Sequence, residues 1–74
     1  MKRGDTVYVE EYDDGAVYTY VGEVVALPND GTTALIHINL SASCNNIFNL
    51  LNKYPAHSWE GWPVRVEWCK AYEP

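Results

Sequence analysis

Apolar and polar positions alternate with a period of two over much of this chain, the pattern of half-buried β-strands. In Thr6-Val7-Tyr8-Val9-Glu10-Glu11, Val7 and Val9 fall on one side, and Thr6, Tyr8 and Glu10 on the other. β-branched and aromatic residues suit such a pleated surface. Asp13-Asp14-Gly15 reads as a turn, because glycine takes a positive φ at little cost. Val17 to Leu27 is a second predicted strand, long enough to serve two neighbours, with a bend or bulge expected near Gly22. Pro28-Asn29-Asp30-Gly31 then forms a turn, since Pro28 cannot donate to a ladder. Thr32 to Leu40 is the third strand, with Ala34, Ile36, Ile38 and Leu40 on one face. Residues 17–27 and 32–40 are expected to pair as an antiparallel hairpin.

The period then changes. Ile47, Leu50, Leu51 and Tyr54 follow the i, i+3, i+4, i+7 spacing of a helix face. The spacing predicts a short helix from Cys44 to Lys53, with Ser41-Ala42-Ser43 supplying N-cap candidates and Pro55 ending it. Asn45, Asn46 and Asn49 lower its propensity, so packing must hold it. Ala56 to Trp62 reads as a loop, Val64-Arg65-Val66-Glu67-Trp68 as the last clear strand, and Lys70 to Pro74 as a short extended tail. The expected core is Val7, Val9, Val24, Ile36, Ile38, Leu51, Val66 and Trp68.

Three or four strands, one short helix and tight turns in 74 residues predict a single, mainly β domain over residues 1–74, shaped as a small, strongly bent barrel. Gly4-Asp5-Thr6-Val7-Tyr8-Val9, then Gly22-Glu23-Val24-Val25-Ala26-Leu27, a turn, and Ala34-Leu35-Ile36-His37-Ile38 resemble the opening hairpins of SH3-like barrels of the KOW and Tudor type. The resemblance covers about half the chain, and the helix after the third strand departs from the simplest form of that fold. It implies a binding module. SH3-like domains bind peptides in aromatic-lined grooves, and Tudor-like ones hold methylated Lys or Arg in aromatic cages.

Charge sharpens the expectation about partners. The net charge is −5, and residues 1–31 carry all of it: Asp5, Glu10, Glu11, Asp13, Asp14, Glu23 and Asp30 against Lys2 and Arg3. Such a surface repels phosphate, so no direct nucleic-acid partner is expected. It suits a basic or mixed-charge protein surface, although net charge of magnitude ~2–8 also serves solubility alone. No stretch has the length of a membrane span or a signal-peptide core, so a cytoplasmic location without membrane contact is expected.

The aromatic residues are the best candidates for contact. Tyr8, Tyr12, Tyr18 and Tyr20 gather near the first hairpin beside Glu10, Glu11, Asp13 and Asp14, and Trp59 and Trp62 lie near the end of the chain. Ring faces attract cations, and nearby carboxylates strengthen this. These ten residues form the expected partner-binding set, with Trp68 and some tyrosines serving the core or covering it instead.

Other chemistry finds little support. Cys44, Cys69, His37 and His57 lack the tight ligand pairs of a zinc site, so no metal and no cofactor is expected, and the two cysteines read as free thiols. Nothing sets a Cys–His nucleophile pair together, and no phosphate loop or calcium loop is present. The type II dihydrofolate reductases are enzymes of comparable fold, yet their Val-Gln-Ile-Tyr segment has no counterpart here. The leading expectation is therefore a non-enzymatic protein-binding module. The alternatives are a phage or plasmid accessory inhibitor of a host protein, acting by nucleic-acid mimicry, and a small oligomeric enzyme or ligand binder.

Overall fold

The computed structural model describes residues 1–72. Five antiparallel strands form one sheet: β1 (Thr6–Asp13), β2 (Ala16–Ala26), β3 (Thr33–Asn39), β4 (Trp62–Arg65) and β5 (Cys69–Ala71), in the order β4-β3-β2-β1-β5. One short helix, α1 (Ile47–Lys53), lies between β3 and β4.

The first hairpin turns at Asp14 (φ 51°) and Gly15 (φ 81°). Positive φ at both central residues is the two-residue turn whose twist matches the flanking strands. It sets Asp13 opposite Ala16, and from there Glu11 opposite Tyr18, Val9 opposite Tyr20 and Val7 opposite Gly22. β2 outruns β1 and pairs with β3 as expected, Gly22 facing Ile38 and Val24 facing Ile36. In the turn between them, Asp30 Oδ1 accepts the Thr32 and Thr33 amides at 2.9 and 3.0 Å. The irregularity in β2 falls between Val24 and Ala26, not at Gly22. Gly22 answers to crowding instead: a Cβ there would stand 2.9 Å from the His37 carbonyl oxygen.

The segment after β3 also differs from expectation. Leu40–Ala42 is a 3₁₀ turn capped by Asn39, whose side chain accepts the Ser41 amide. The serines therefore do not cap the helix. α1 starts at Ile47, three residues later than expected, and turns Ile47 and Leu50 into the core. The Cys44 amide donates to the Thr19 carbonyl at 2.9 Å, tying this segment to the β2 edge beyond the end of β3.

The late strand is the main correction. Alternation in Val64-Arg65-Val66-Glu67-Trp68 does not continue as one strand: β4 ends at Arg65, and Val66–Trp68 is a 3₁₀ turn. That turn joins the two edge strands of the sheet. Laid flat, those edges would be ~19 Å apart, four strand spacings. A three-residue 3₁₀ turn rises only ~6 Å. The sheet is therefore sharply curved, and the chain leaves β4 to cross to β1. Trp68 is consequently exposed, with the Arg65 guanidinium 5.7 Å from its ring centroid. Val66 and Leu51 are half-buried at the core margin. The expected tail is β5 as far as Ala71, pairing with β1; Glu73 and Pro74 lie outside the described residues.

The inner face of the curved sheet holds Val7, Val9, Tyr18, Tyr20, Val24, Ala34, Ile36, Ile38, Trp62 and Val64, and α1 covers it with Ile47 and Leu50. Burying each such large side chain contributes about 1.5–3 kcal/mol. Cys44 and Cys69 are free thiols beside this core.

Candidate functional site

Strand register divides eight of the ten expected contact residues between two faces, Asp14 lying in the hairpin turn and Trp59 in the loop before β4. Tyr18 and Tyr20 lie on the inner face and are buried, and so is Trp62. They are core residues and present no surface to a partner. The reason is the Asp14-Gly15 turn: by placing Tyr20 opposite Val9, it puts both on the same side of the sheet.

Glu11 and Asp13 continue the inner face of β1 beyond Val9, at the open end of the core, and both are committed to local structure. Glu11 accepts from the Tyr20 hydroxyl and, at 3.3 Å, from Trp62 Nε1. Asp13 accepts from Lys53 Nζ at 2.8 Å and from the Tyr54 hydroxyl at 2.7 Å, fastening the hairpin tip to the C-terminus of α1. The hydrogen bond from Lys53 holds the Asp13 carboxyl below its usual range and raises the lysine in return. Around this end, Tyr54, His57 and Trp62 pack ring to ring at 5.6–6.0 Å between centroids.

Tyr8, Glu10 and Tyr12 point the other way, onto the outer face. Tyr12 is 71% exposed, and its cross-strand partner Val17 is 47% exposed. Glu10 lies 3.8 Å from Lys70 of β5, and the exposed Asp14 is 3.7 Å from Lys53. Tyr8 sits opposite Val21, which in turn sits opposite Asn39.

That last row opens into a cleft of about 520 Å³ on the outer face, lined by Thr6, Val21, Glu23, His37, Leu40 and Trp59, among others. Glu23 and His37 are directly opposed across β2 and β3. The His37 ring packs against Trp59, centroids 4.8 Å apart. The Ile38 amide donates to the Trp59 carbonyl at 2.7 Å, which fixes the loop carrying that tryptophan against β3. Trp59 remains 38% exposed. Glu23 is the sole carboxylate in the lining, which holds no lysine or arginine, and it has no ion-pair partner among the described residues.

Of the ten expected residues, the structure thus leaves Tyr8, Glu10, Tyr12, Asp14 and Trp59 for contact. Val17, Glu23 and His37 join them, all missed in the sequence. The hairpin register was the available signal: once Val9 is inside, Val17 and Glu23 must face out with Tyr12 and Thr6.

Among the described residues, no group of three or more His, Cys, Asp and Glu side chains is placed to hold a metal ion, and no helix is long and apolar enough to cross a membrane. Comparison with known proteins gives no family model, no curated protein and no solved structure that matches the chain.

Proposed function

We propose that this chain is a small SH3-like module that binds a basic or mixed-charge protein partner on the outer face of its sheet. The carrying observation is a row of outward side chains from the exposed Tyr12 and Val17 at the hairpin tip, through the half-buried Tyr8 opposite the buried Val21, to the cleft of Glu23, His37 and Trp59. Aromatic side chains offer contact area with few rotamers to freeze. Acids among them steer a basic partner and raise the association rate. The barrel assignment draws support from the sharp curvature that the Val66–Trp68 turn imposes between the two edge strands.

Recognition is the reading that suits an outer face built largely of aromatic and apolar side chains, Tyr8, Tyr12, Val17 and Trp59, around the opposed pair Glu23 and His37. Nucleic-acid mimicry needs a continuous row of free carboxylates. Glu11, Asp13 and Asp30 are instead consumed by hydrogen bonds within the fold. We place the protein in the cytoplasm, where its two thiols stay reduced.

The test is capture of a partner by the tagged protein, followed by reconstitution with the purified partner. Tyr12→Ala and Trp59→Ala should weaken that complex, and added salt should weaken it further, because the screening length is only ~8 Å at physiological ionic strength. Tight binding to a nucleic-acid fragment, or a footprint confined to α1 and Trp68, would overturn the reading.

A further inference from the structure

We propose that the tip of the first hairpin is a site of spontaneous modification: Asp14 cyclises onto the Gly15 amide nitrogen, and the succinimide so formed opens to an isoaspartyl linkage.

The chemistry needs only water and groups already present. The Gly15 nitrogen attacks Cγ of the Asp14 carboxyl. The N–Cγ bond forms, and one carboxyl oxygen leaves as water with the amide proton and the carboxyl proton. Water then adds back to the ring. Addition at Cγ breaks the new bond and restores aspartate. Addition at the α-carbonyl breaks the original peptide bond, frees an α-carboxylate and leaves the backbone running through Cγ. Nothing is oxidised or reduced, and the product has the mass of the parent.

Asp14 and Asp30 are the aspartates that precede glycine, the neighbour that hinders this attack least. The structure separates them. Asp30 Oδ1 accepts the Thr32 and Thr33 amides at 2.9 and 3.0 Å, and these bonds hold its carboxyl ionised, below its usual range. An ionised carboxylate is a poor electrophile. The Gly31 amide is engaged as well, donating to the Pro28 carbonyl. At the other turn both reacting groups are free. The Asp14 side chain is 89% exposed, and its ionic neighbour Lys53 stands 3.7 Å away, closer to Asp13. The Gly15 amide donates to no backbone acceptor among the described residues. Asp14 is also the sole non-glycine residue at positive φ among them, which lowers the cost of leaving the native turn. Around Gly15 the space is open: even a Cβ there would meet nothing within 4 Å, so the rotation that brings its nitrogen over Cγ is unobstructed. The product acts on the fold. An extra backbone methylene does not fit the two-residue turn that sets Asp13 opposite Ala16, so Asp13 draws away from Lys53 and Tyr54.

The experiment is storage of the intact protein in warm, mildly acidic buffer, natively and in parallel in urea. Peptide mapping follows, with fragmentation that distinguishes isoaspartate from aspartate. In the native sample isoaspartate should accumulate at Asp14 about tenfold faster than at Asp30, where two hydrogen bonds must open before the carboxyl is free. In urea the two sites should react at similar rates. Asp14→Asn places at this position a residue that the turn type favours and forms the same imide with loss of ammonia; it should convert faster still. The modified protein, separated from the parent, should show shifted Ala16 and Lys53 amides. The proposal is overturned by a native sample that modifies Asp30 as fast as Asp14, or by a native Asp14→Asn protein that stays intact while its urea sample converts. Unshifted Ala16 and Lys53 amides in the modified protein would overturn it equally.

Discussion

The Tyr20 hydroxyl lies 3.2 Å from the Trp62 indole nitrogen, accepting its N–H while donating to Glu11. β1, β2 and β4 are thereby joined across the open end of the core. The partners are far apart in sequence, and both rings are buried. Tyr20→Phe removes one shared hydroxyl and leaves the indole with a single longer contact to Glu11. A loss of about 1–2 kcal/mol is expected in urea denaturation. Unchanged stability would mean that the three groups do not act together.

The same hydroxyl sets an alkaline limit on the fold. Burial raises Tyr20 far above the ordinary tyrosine value of 10.0, and its hydrogen bond to Glu11 adds to the rise. The native state therefore keeps a proton that the unfolded chain releases. Stability from this group is complete below about pH 10 and falls as pH rises further. Unfolding followed from pH 8.5 to 11 should show that slope, reduced in Tyr20→Phe. Equal slopes in the two proteins would refute the assignment.

At the other end of the pH scale stands Asp13, whose carboxyl is lowered first by the Lys53 hydrogen bond and then by the Tyr54 hydroxyl. A depressed carboxyl contributes stability above its unfolded value of 3.8, lost as pH falls through the lower folded value. Asp13→Asn should flatten the acid side of the stability curve. It should also loosen α1, seen as faster amide exchange at its C-terminal turn. Exchange at Leu51 to Lys53 that matched the parent would show that the hairpin tip does not restrain the helix.

The strands were legible where periodicity and turn chemistry agreed. Val7 and Val9, the Asp14-Gly15 turn and the apolar face of β3 each point to one arrangement. What escaped was the coupling between elements. Both Val17/Thr19 and Tyr18/Tyr20 alternate with period two, so alternation alone leaves the inner pair undecided; only carrying the register across the turn decides it. The break at Val66 carries no glycine or proline. It is imposed by the need to cross from one sheet edge to the other, which no local pattern records. For the site, exposed Tyr12 and Trp59 were readable as aromatic residues. Glu23 and His37 were not, because their pairing exists only once β2 and β3 are in register.

The revised core makes a contrast among large residues. Ile36 and Leu50 are fully enclosed, whereas Leu51 is half-buried and Trp68 exposed on a 3₁₀ turn. Ile36→Ala and Leu50→Ala should each cost about 2–5 kcal/mol, enough to unfold much of so small a domain. Leu51→Ala should cost less than Leu50→Ala, and Trp68→Ala less than about 1 kcal/mol. Urea midpoints ordered the other way would relocate the core.

Gly22 offers the sharpest steric test of the sheet. It lies in the central strand, opposite Val7 on one side and Ile38 on the other, where β2 passes from one neighbour to the next. A methyl group there would meet the His37 carbonyl oxygen at 2.9 Å and Ile36 Cδ1 at 3.1 Å. The side chain of Ile36 is able to turn aside, but the carbonyl belongs to the β2–β3 ladder and moves only with the strand. Gly22→Ala should therefore cost about 1–3 kcal/mol, as overpacking does in a close-packed interior. Because Val21 and Glu23 flank this position and both line the cleft, the strain should also appear as amide shift changes at His37 and Asn39. Gly61→Ala is the control. Its nearest contact would be Ser58 Oγ at 4.0 Å, so its urea midpoint should stay within about 0.5 kcal/mol of the parent. If the two variants unfolded at the same urea concentration, the close approach of β2 to β3 at Gly22 would be wrong, and the register that opposes Glu23 to His37 would fall with it.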